Sequence, residues 1–217
     1  MTRLYLLRHG EVTSHKGDVA ITEAAERQAY EAGHRFGSTE PGPIRVLSGE
    51  TRRAKDTAVH LSRGIVEAGG DVIGPDVAFA LRNPDLYVAG TRVNMVSSAE
   101  ALADQVPGLA AESVAAIDFF PSFFASPDRI GWWLRHDSPP GEDAASLAAR
   151  FRSFAASLVD PVPDSPEVVV AVTHSPLLRA VGLDLLGHDI GEPPWVSGLL
   201  VTVAEDRSLT AEILEPT

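Results

Sequence analysis

The sequence predicts an α/β fold: a three-layer sandwich with a mostly parallel central sheet flanked by helices, and a helical insertion seated on it. Three observations predict it. Short unbroken apolar runs at 4–7 and 168–172 each stop at a polar turn that carries a histidine. Amphipathic helical stripes follow the strands in a βαβα rhythm. Both ends of the chain supply such pieces, so both belong to one layered core.

Taken in order, Leu4 to Leu7 reads as a buried strand that ends in Arg8-His9-Gly10. Thr22 is placed to cap a helix whose buried stripe is Ala25, Ala29, Ala32 and Phe36, at the spacing of one helix face. A strand is expected at 44–47, and a second helix at 50–63 after the turn Ser48-Gly49. The stretch 83–140 breaks the rhythm with scattered Pro, Gly and Ser and reads as an insertion with helical pieces at 98–106 and 112–120. A helix at 146–158 presents Leu147, Phe151, Phe154 and Leu158 on one face. The strand 168–172, β-branched but for Ala171, leads into Thr173-His174-Ser175-Pro176. There Ser175 is expected to cap a helix over 176–186 and Pro176 to suit its first turn. Two late strands, 199–203 and 209–214, form an edge hairpin through Glu205-Asp206-Arg207.

Length and composition set the outer limits. At about 150 residues per domain, 217 residues make one α/β-sized domain carrying an inserted lobe. Hydrophobic residues are 44% and charged residues 22% of the chain, the balance of a folded globular protein. Eighteen Lys and Arg against thirty Asp and Glu give a formal charge of -12, which repels nucleic acid and anionic lipid at long range. There is no cysteine, hence no disulfide, thiolate metal site or Cys nucleophile. No apolar run approaches a membrane span and the first residues do not make a secretory signal, so a cytoplasmic protein is expected.

The chemistry concentrates at strand ends. One imidazole after a strand serves equally well as an ordinary turn or core hydrogen-bonder. Two of them, His9 and His174, placed alike after two apolar strands, converge on one sheet edge if the strands are neighbours. Arg8 and Arg53 belong to the same edge. Two guanidiniums and two imidazoles around one point suit a tetrahedral dianion. With no cysteine and no Asp/His cluster at metal-ligand spacing, the group left to attack phosphorus is a neutral imidazole nitrogen, which points to metal-free phosphoryl transfer without a cofactor.

Leu7-Arg8-His9-Gly10-Glu11 resembles the signature of the histidine phosphatase superfamily, the phosphoglycerate-mutase-like proteins. Asp18 with Ile21-Thr22 and Gln28-Ala29, the segment Ser48 to Ala58, Gly141-Glu142 ahead of Leu147 and Arg150, and Val172-Thr173-His174-Ser175 resemble further family motifs in the family's order. The resemblance implies a phosphoglycerate-mutase-like fold with the insertion over the site. It makes His9 the phosphate-accepting nucleophile and gives Arg8, Arg53 and His174 the binding and neutralisation of the phosphoryl group. Thr22, Glu142 and Ser175 are the substrate-side candidates. Thr22, with Glu11, also fits a role in orienting the groups that touch phosphate, and Glu142 equally fits a helix N-terminus.

The pattern departs from the family at Leu81-Arg82-Asn83-Pro84-Asp85, where Asn83 stands in place of a proton-donating Glu. Asp85 is the candidate substitute, its alternative being an Asx-type turn; His15, Asp18 and Glu142 are weaker ones. His15-Lys16 replaces a common Trp-Asn pair. The insertion carries few basic residues, which favours hydrolysis over mutase chemistry. The expected activity is a phosphoric monoester hydrolase, of histidine acid phosphatase type, acting on a small phosphorylated metabolite. A phosphate-binding protein of the same fold with little turnover, and a phosphomutase, are the alternatives. Phe119, Phe120, Phe123, Phe124, Trp132 and Trp133 either line an apolar substrate pocket or pack the insertion onto the sheet or onto a partner in a homodimer.

Overall fold

The computed structural model describes residues 1–14, 17–163 and 165–214. The chain runs β1 (Thr2–Arg8), α1 (Glu23–Thr39), β2 (Ile44–Ser48), α2 (Arg52–Glu67) and β3 (Val72–Val77). The insertion follows, with β4 (Leu86–Val88), β5 (Thr91–Val93), α3 (Ala99–Ala103), α4 (Phe119–Ala125) and α5 (Arg129–Leu134), and 3-10 turns at Phe79–Leu81 and Ala111–Ala116. The chain then returns through α6 (Ala144–Ser157), β6 (Val168–Thr173), α7 (Ser175–Leu186), β7 (Gly198–Val203) and β8 (Leu209–Ile213).

The six-stranded sheet has the order β3-β2-β6-β1-β7-β8. The pairs β2–β3, β2–β6 and β1–β6 are parallel, and β7 and β8 close one edge antiparallel. Strand alternation divides the core between the two faces. Leu4, Leu6, Val169 and Ala171 face α6, α7 and the insertion, whereas Tyr5, Leu7, Val168, Val170 and Val172 face α1 and α2. All six residues of β6 are buried, which is why its sequence is continuously apolar rather than alternating.

On the second face α1 and α2 cross backbone to backbone. A Cβ added at Gly33 would lie 2.0 Å from the Leu61 carbonyl oxygen, and one at Gly64 would lie 2.0 Å from that of Tyr30. The crossing is therefore open only to glycine at both positions.

Several boundaries differ from expectation for local reasons. Helix α2 begins at Arg52 rather than at 50, because the Thr51 hydroxyl accepts from the Ala54 amide and caps it. Helix α7 begins at Ser175, one residue before the expected start, with His174 at the N-cap and no side-chain cap bond, so Ser175 is not the cap. Pro176 does sit in its first turn. The expected helix at 112–120 is a 3-10 turn followed by α4, and that at 98–106 shortens to α3, capped by Ser98. The sheet-edge strand β3 holds Gly74-Pro75, and the short β4–β5 pair turns through Ala89 and Gly90, both at positive φ. Neither carries a readable period.

Candidate active site

Register alone brings the two histidines together. Arg8 pairs with Thr173 across the parallel β1–β6 ladder, and the His9 amide donates to the Thr173 carbonyl at 2.9 Å. His9 and His174 therefore leave adjacent strands at the same height, with ring centroids 5.2 Å apart. The crevice lies beyond the carboxyl ends of parallel strands, where open α/β sheets present their ligand sites.

The state of His9 follows from its partners. Its Nδ1 lies 2.8 Å from the Gly10 carbonyl oxygen, which only accepts, so Nδ1 carries the hydrogen. The Arg53 Nε donates to His9 Nε2 at 3.2 Å, so Nε2 presents its lone pair. Arg53 stands in the first turn of α2, the turn fixed by the Thr51 cap and by the Arg52 amide donating to Asp18 at 2.7 Å. Thr57 bonds the Arg53 carbonyl and accepts from the Gly10 amide, tying α2 to the turn after β1. Burial pulls the Arg53 guanidinium below its ordinary pKa, and Asp18 opposes the change.

Arg8 is buried and held from three sides. Its Nη1 donates to the Pro193 carbonyl at 2.7 Å, its Nη2 meets Glu192 at 2.6 Å, and its guanidinium lies 3.4 Å from the Trp195 ring centroid. Burial pushes Arg8 down to about 10, with Glu192 opposing and Arg53 adding to the shift, so it stays cationic at neutral pH. The Arg8 Nε is buried without a hydrogen-bond partner among the described residues. A buried donor of this kind asks for an acceptor, and an anion at this wall would supply one.

Arg8, His9, Arg53, His174 and Ser175 line one cavity of about 650 Å³. The insertion supplies much of the remaining wall, with Asn83, Met95, Val96, Phe123 and Ile130. Phe123 alone of the six clustered aromatics is among the lining residues. Phe119, Phe120, Phe123 and Trp133 are buried in the core shared with α6, α7 and the sheet, so the cluster chiefly packs the insertion down.

The sequence candidates Asp18, Thr22, Asp85 and Glu142 fall outside the cavity wall. Asp85 is bound by Arg82 at 2.5 Å, by Arg92, and by Arg150 at 3.9 Å. Burial raises its pKa, but the hydrogen bonds and charges of Arg82 and Arg92 outweigh this and leave it below the ordinary value. A carboxylate held ionised away from the cavity is not positioned as a proton donor. Glu142 accepts from the Asp85 amide at 2.7 Å and from Arg150 at 2.8 Å, bracing the turn that carries Asn83. Thr22 caps α1 and donates to Glu11 at 3.3 Å. Ser175 reaches the wall and donates to Glu192 at 2.6 Å. His15 lies outside the described residues.

Sequence reasoning did not find Glu192, Trp195 and Arg179. Arg179, 3% exposed, forms paired bonds to Asp128 of the insertion and Asp189 of the loop after α7. Burial opposes its charge, but these carboxylates raise its pKa overall, while Arg179 in turn holds Asp128 at about 2. The signal for Glu192 and Trp195 is topological: Gly198 pairs with Leu7, so residues just before β7 must flank Arg8. It becomes readable only once β7 is known to lie beside β1.

Among the described residues, no helix is long and apolar enough to cross a membrane, and no group of three or more His, Asp or Glu is placed to hold a metal ion. No curated protein sequence matches the chain. The family model of the histidine phosphatase superfamily (branch 1) matches residues 4–68. A mycobacterial glucosyl-3-phosphoglycerate phosphatase, solved in complex with VO3, is 25% identical; the match covers 98% of this chain and 97% of that one, with a TM-score of 0.62. A phosphoglycerate mutase from Bacillus anthracis is 15% identical over 98% and 92% of the two chains, with a TM-score of 0.59. Phosphoserine phosphatase from Entamoeba histolytica is 12% identical over 99% and 96%, with a TM-score of 0.54. Residues 4–68 thus match the histidine phosphatase superfamily, and the chain has the fold of the phosphoglycerate-mutase-like phosphatases.

Proposed function

We propose that the protein is a metal-independent phosphoric monoester hydrolase that cleaves a small phosphorylated metabolite through a phosphohistidine on His9. The observation that carries this reading is the state of His9, whose Nε2 lone pair faces Arg53 at 3.2 Å in the cavity that also holds Arg8 and His174. In this reading Nε2 attacks phosphorus and the ester P–O bond breaks. The alcohol leaves, and water then displaces His9 from phosphorus to release inorganic phosphate. Arg8, Arg53 and His174 neutralise the charge on the non-bridging oxygens, the main source of catalysis in phosphoryl transfer. Ser175 acts at the substrate wall, while Thr22 and Glu142 support the site from outside it. The names of the glucosyl-3-phosphoglycerate and phosphoserine phosphatases support the substrate class, a small phosphate ester.

A second reading rests on Asn83, which is 5% exposed on the cavity wall and has no proton to donate as an acid. It is a phosphate-binding protein of this fold with little turnover. Hydrolysis of nitrophenyl phosphate by wild type and His9→Ala, both with EDTA, separates the two. Turnover that survives the chelator and disappears in His9→Ala is the expected result. Retained turnover in His9→Ala overturns the phosphohistidine. No turnover in either, with vanadate still bound by wild type, selects the binding protein.

A further inference from the structure

The buried polar side chains on the cavity wall are those of Arg8, His9, Asn83, His174, Ser175 and Arg179, and among the described residues only the Asn83 carboxamide makes no hydrogen bond within the protein. The turn that carries it is anchored through its backbone instead. The Thr173 hydroxyl donates to the Leu81 carbonyl at 2.7 Å, and Arg150 Nη2 donates to the carbonyls of Arg82 at 2.8 Å and Asn83 at 3.3 Å. A Cβ added at Gly49 would lie 2.9 Å from the Leu81 carbonyl oxygen and 3.4 Å from His174 Nε2, so this turn is set against the phosphoryl side of the cavity. A buried carboxamide has two N–H donors and an acceptor oxygen to satisfy, and at 5% exposure Asn83 is left to find its partner in the cavity.

The rest of the wall narrows the choice of partner. Its two carboxylates accept on both oxygens: Asp128 from Arg179 at 2.7 and 2.8 Å, and Glu192 from Arg8 and Ser175, each at 2.6 Å. The described wall therefore offers no carboxylic acid to a departing oxygen. Met95, Val96, Phe123 and Ile130 make an apolar side suited to a ring. We infer that Asn83 determines specificity: its N–H meets the departing oxygen, and the substrate is the phosphate ester of a phenol. This rests on the phosphohistidine reading above, in which Arg8, Arg53 and His174 take the non-bridging oxygens and leave the bridging one for the remaining buried donor. An amide N–H stabilises a departing oxyanion without giving up a proton. That suffices for a phenolate, whose charge spreads into the ring, and not for an alkoxide. In the first step the His9 Nε2–P bond forms, the ester P–O bond breaks, and phenolate leaves with the bonding pair, held by Asn83. In the second, water adds to phosphorus, the N–P bond breaks with its pair returning to Nε2, and both water protons leave on dihydrogen phosphate.

The test is steady-state kinetics with phenyl phosphate and benzyl phosphate, which share a ring and differ in the acidity of the leaving hydroxyl. Wild type should bind both, benzyl phosphate competing with phenyl phosphate, and turn over phenyl phosphate at least about 10²-fold faster. Asn83→Leu, of similar volume, should keep the wild-type Tm while kcat on phenyl phosphate falls about 10²- to 10³-fold at little changed KM, the range for loss of one such donor. Asn83→Glu supplies an acid and should raise kcat on benzyl phosphate about 10²- to 10⁴-fold. Comparable turnover of the two esters by wild type, or failure of benzyl phosphate to compete, overturns the substrate class. Unchanged kcat in Asn83→Leu, or no gain in a folded Asn83→Glu, overturns the contact with the departing oxygen. If Asn83→Glu does not fold, Asn83→Leu decides alone. Failure of the underlying reading shows separately, as turnover retained in His9→Ala or as no turnover of either ester by wild type.

Discussion

Replacing Gly64 by alanine sets two opposed effects against each other at the crossing of α1 and α2. Alanine in a helix interior is favoured over glycine by about 1 kcal/mol, so on an uncrowded helix face the change would stabilise. Here the new methyl would sit 2.0 Å from the Tyr30 carbonyl oxygen and 2.6 Å from the His34 amide nitrogen, both backbone atoms that cannot rotate aside. The helices must separate, opening the interface that buries Ala29, Ala32, Leu61 and Ile65. Overpacking typically costs about 1–3 kcal/mol, and a clash with fixed backbone belongs at the upper end. The expected net loss is about 2 kcal/mol. For a chain of this size that lowers Tm by about 4–8 °C, measured by thermal circular dichroism. Gly33→Ala meets the Leu61 carbonyl oxygen at the same 2.0 Å and should match it. The double variant should cost less than the sum, because one separation relieves both clashes. A Tm at or above wild type in Gly64→Ala would refute the reasoning, since propensity alone would then govern the site.

Two further outcomes are expected. Asp85→Asn should leave the ratio of alkyl to nitrophenyl phosphate turnover unchanged while costing about 1–3 kcal/mol at neutral pH, from the lost charged hydrogen bonds to Arg82 and Arg92. Because folding lowers the Asp85 pKa, this stability is present above the ordinary carboxylate value and fades as pH falls through the lowered one. Urea melts of wild type and variant should therefore differ at pH 7 and converge in acid. Trp195→Ala removes the ring stacked on Arg8, a contact of about 0.5–2 kcal/mol, and should weaken vanadate binding by about two- to thirtyfold in a direct titration. Unchanged affinity would show that Glu192 and Pro193 suffice to hold Arg8.

The layered core was legible because burial writes itself into composition: β6 is buried on both faces and reads as an unbroken apolar run, and α1 shows its buried stripe at Ala25, Ala29 and Ala32. The histidine pair was legible because both residues follow such runs. What stayed hidden depends on long-range register. Asp85 looked available in sequence because, of the arginines around it, only Arg82 is a near neighbour, while Arg92 and Arg150 lie 7 and 65 positions away. Glu192 sits in a Pro-rich loop without periodicity, and only the β1–β7 pairing places it beside Arg8. Ser175 resembled a cap by residue type alone, but a carboxylate from that loop takes its hydroxyl.

The position of β6 between β1 and β2 has a consequence for how the molecule comes into being. Strand β1 leaves the ribosome before every other strand of its sheet, yet its parallel neighbour starts at Val168, which pairs with Arg3, and its other neighbour ends at Val203, which pairs with Thr2. During synthesis β1 has no sheet partner until the chain has been made as far as Val168. Arg8 and His9 acquire their surroundings at the same late moment, when β6 inserts and the 192–197 segment closes over the guanidinium. Refolding is expected to be slow by the standard of domains with local contacts, with vanadate binding appearing together with native sheet signal rather than before it.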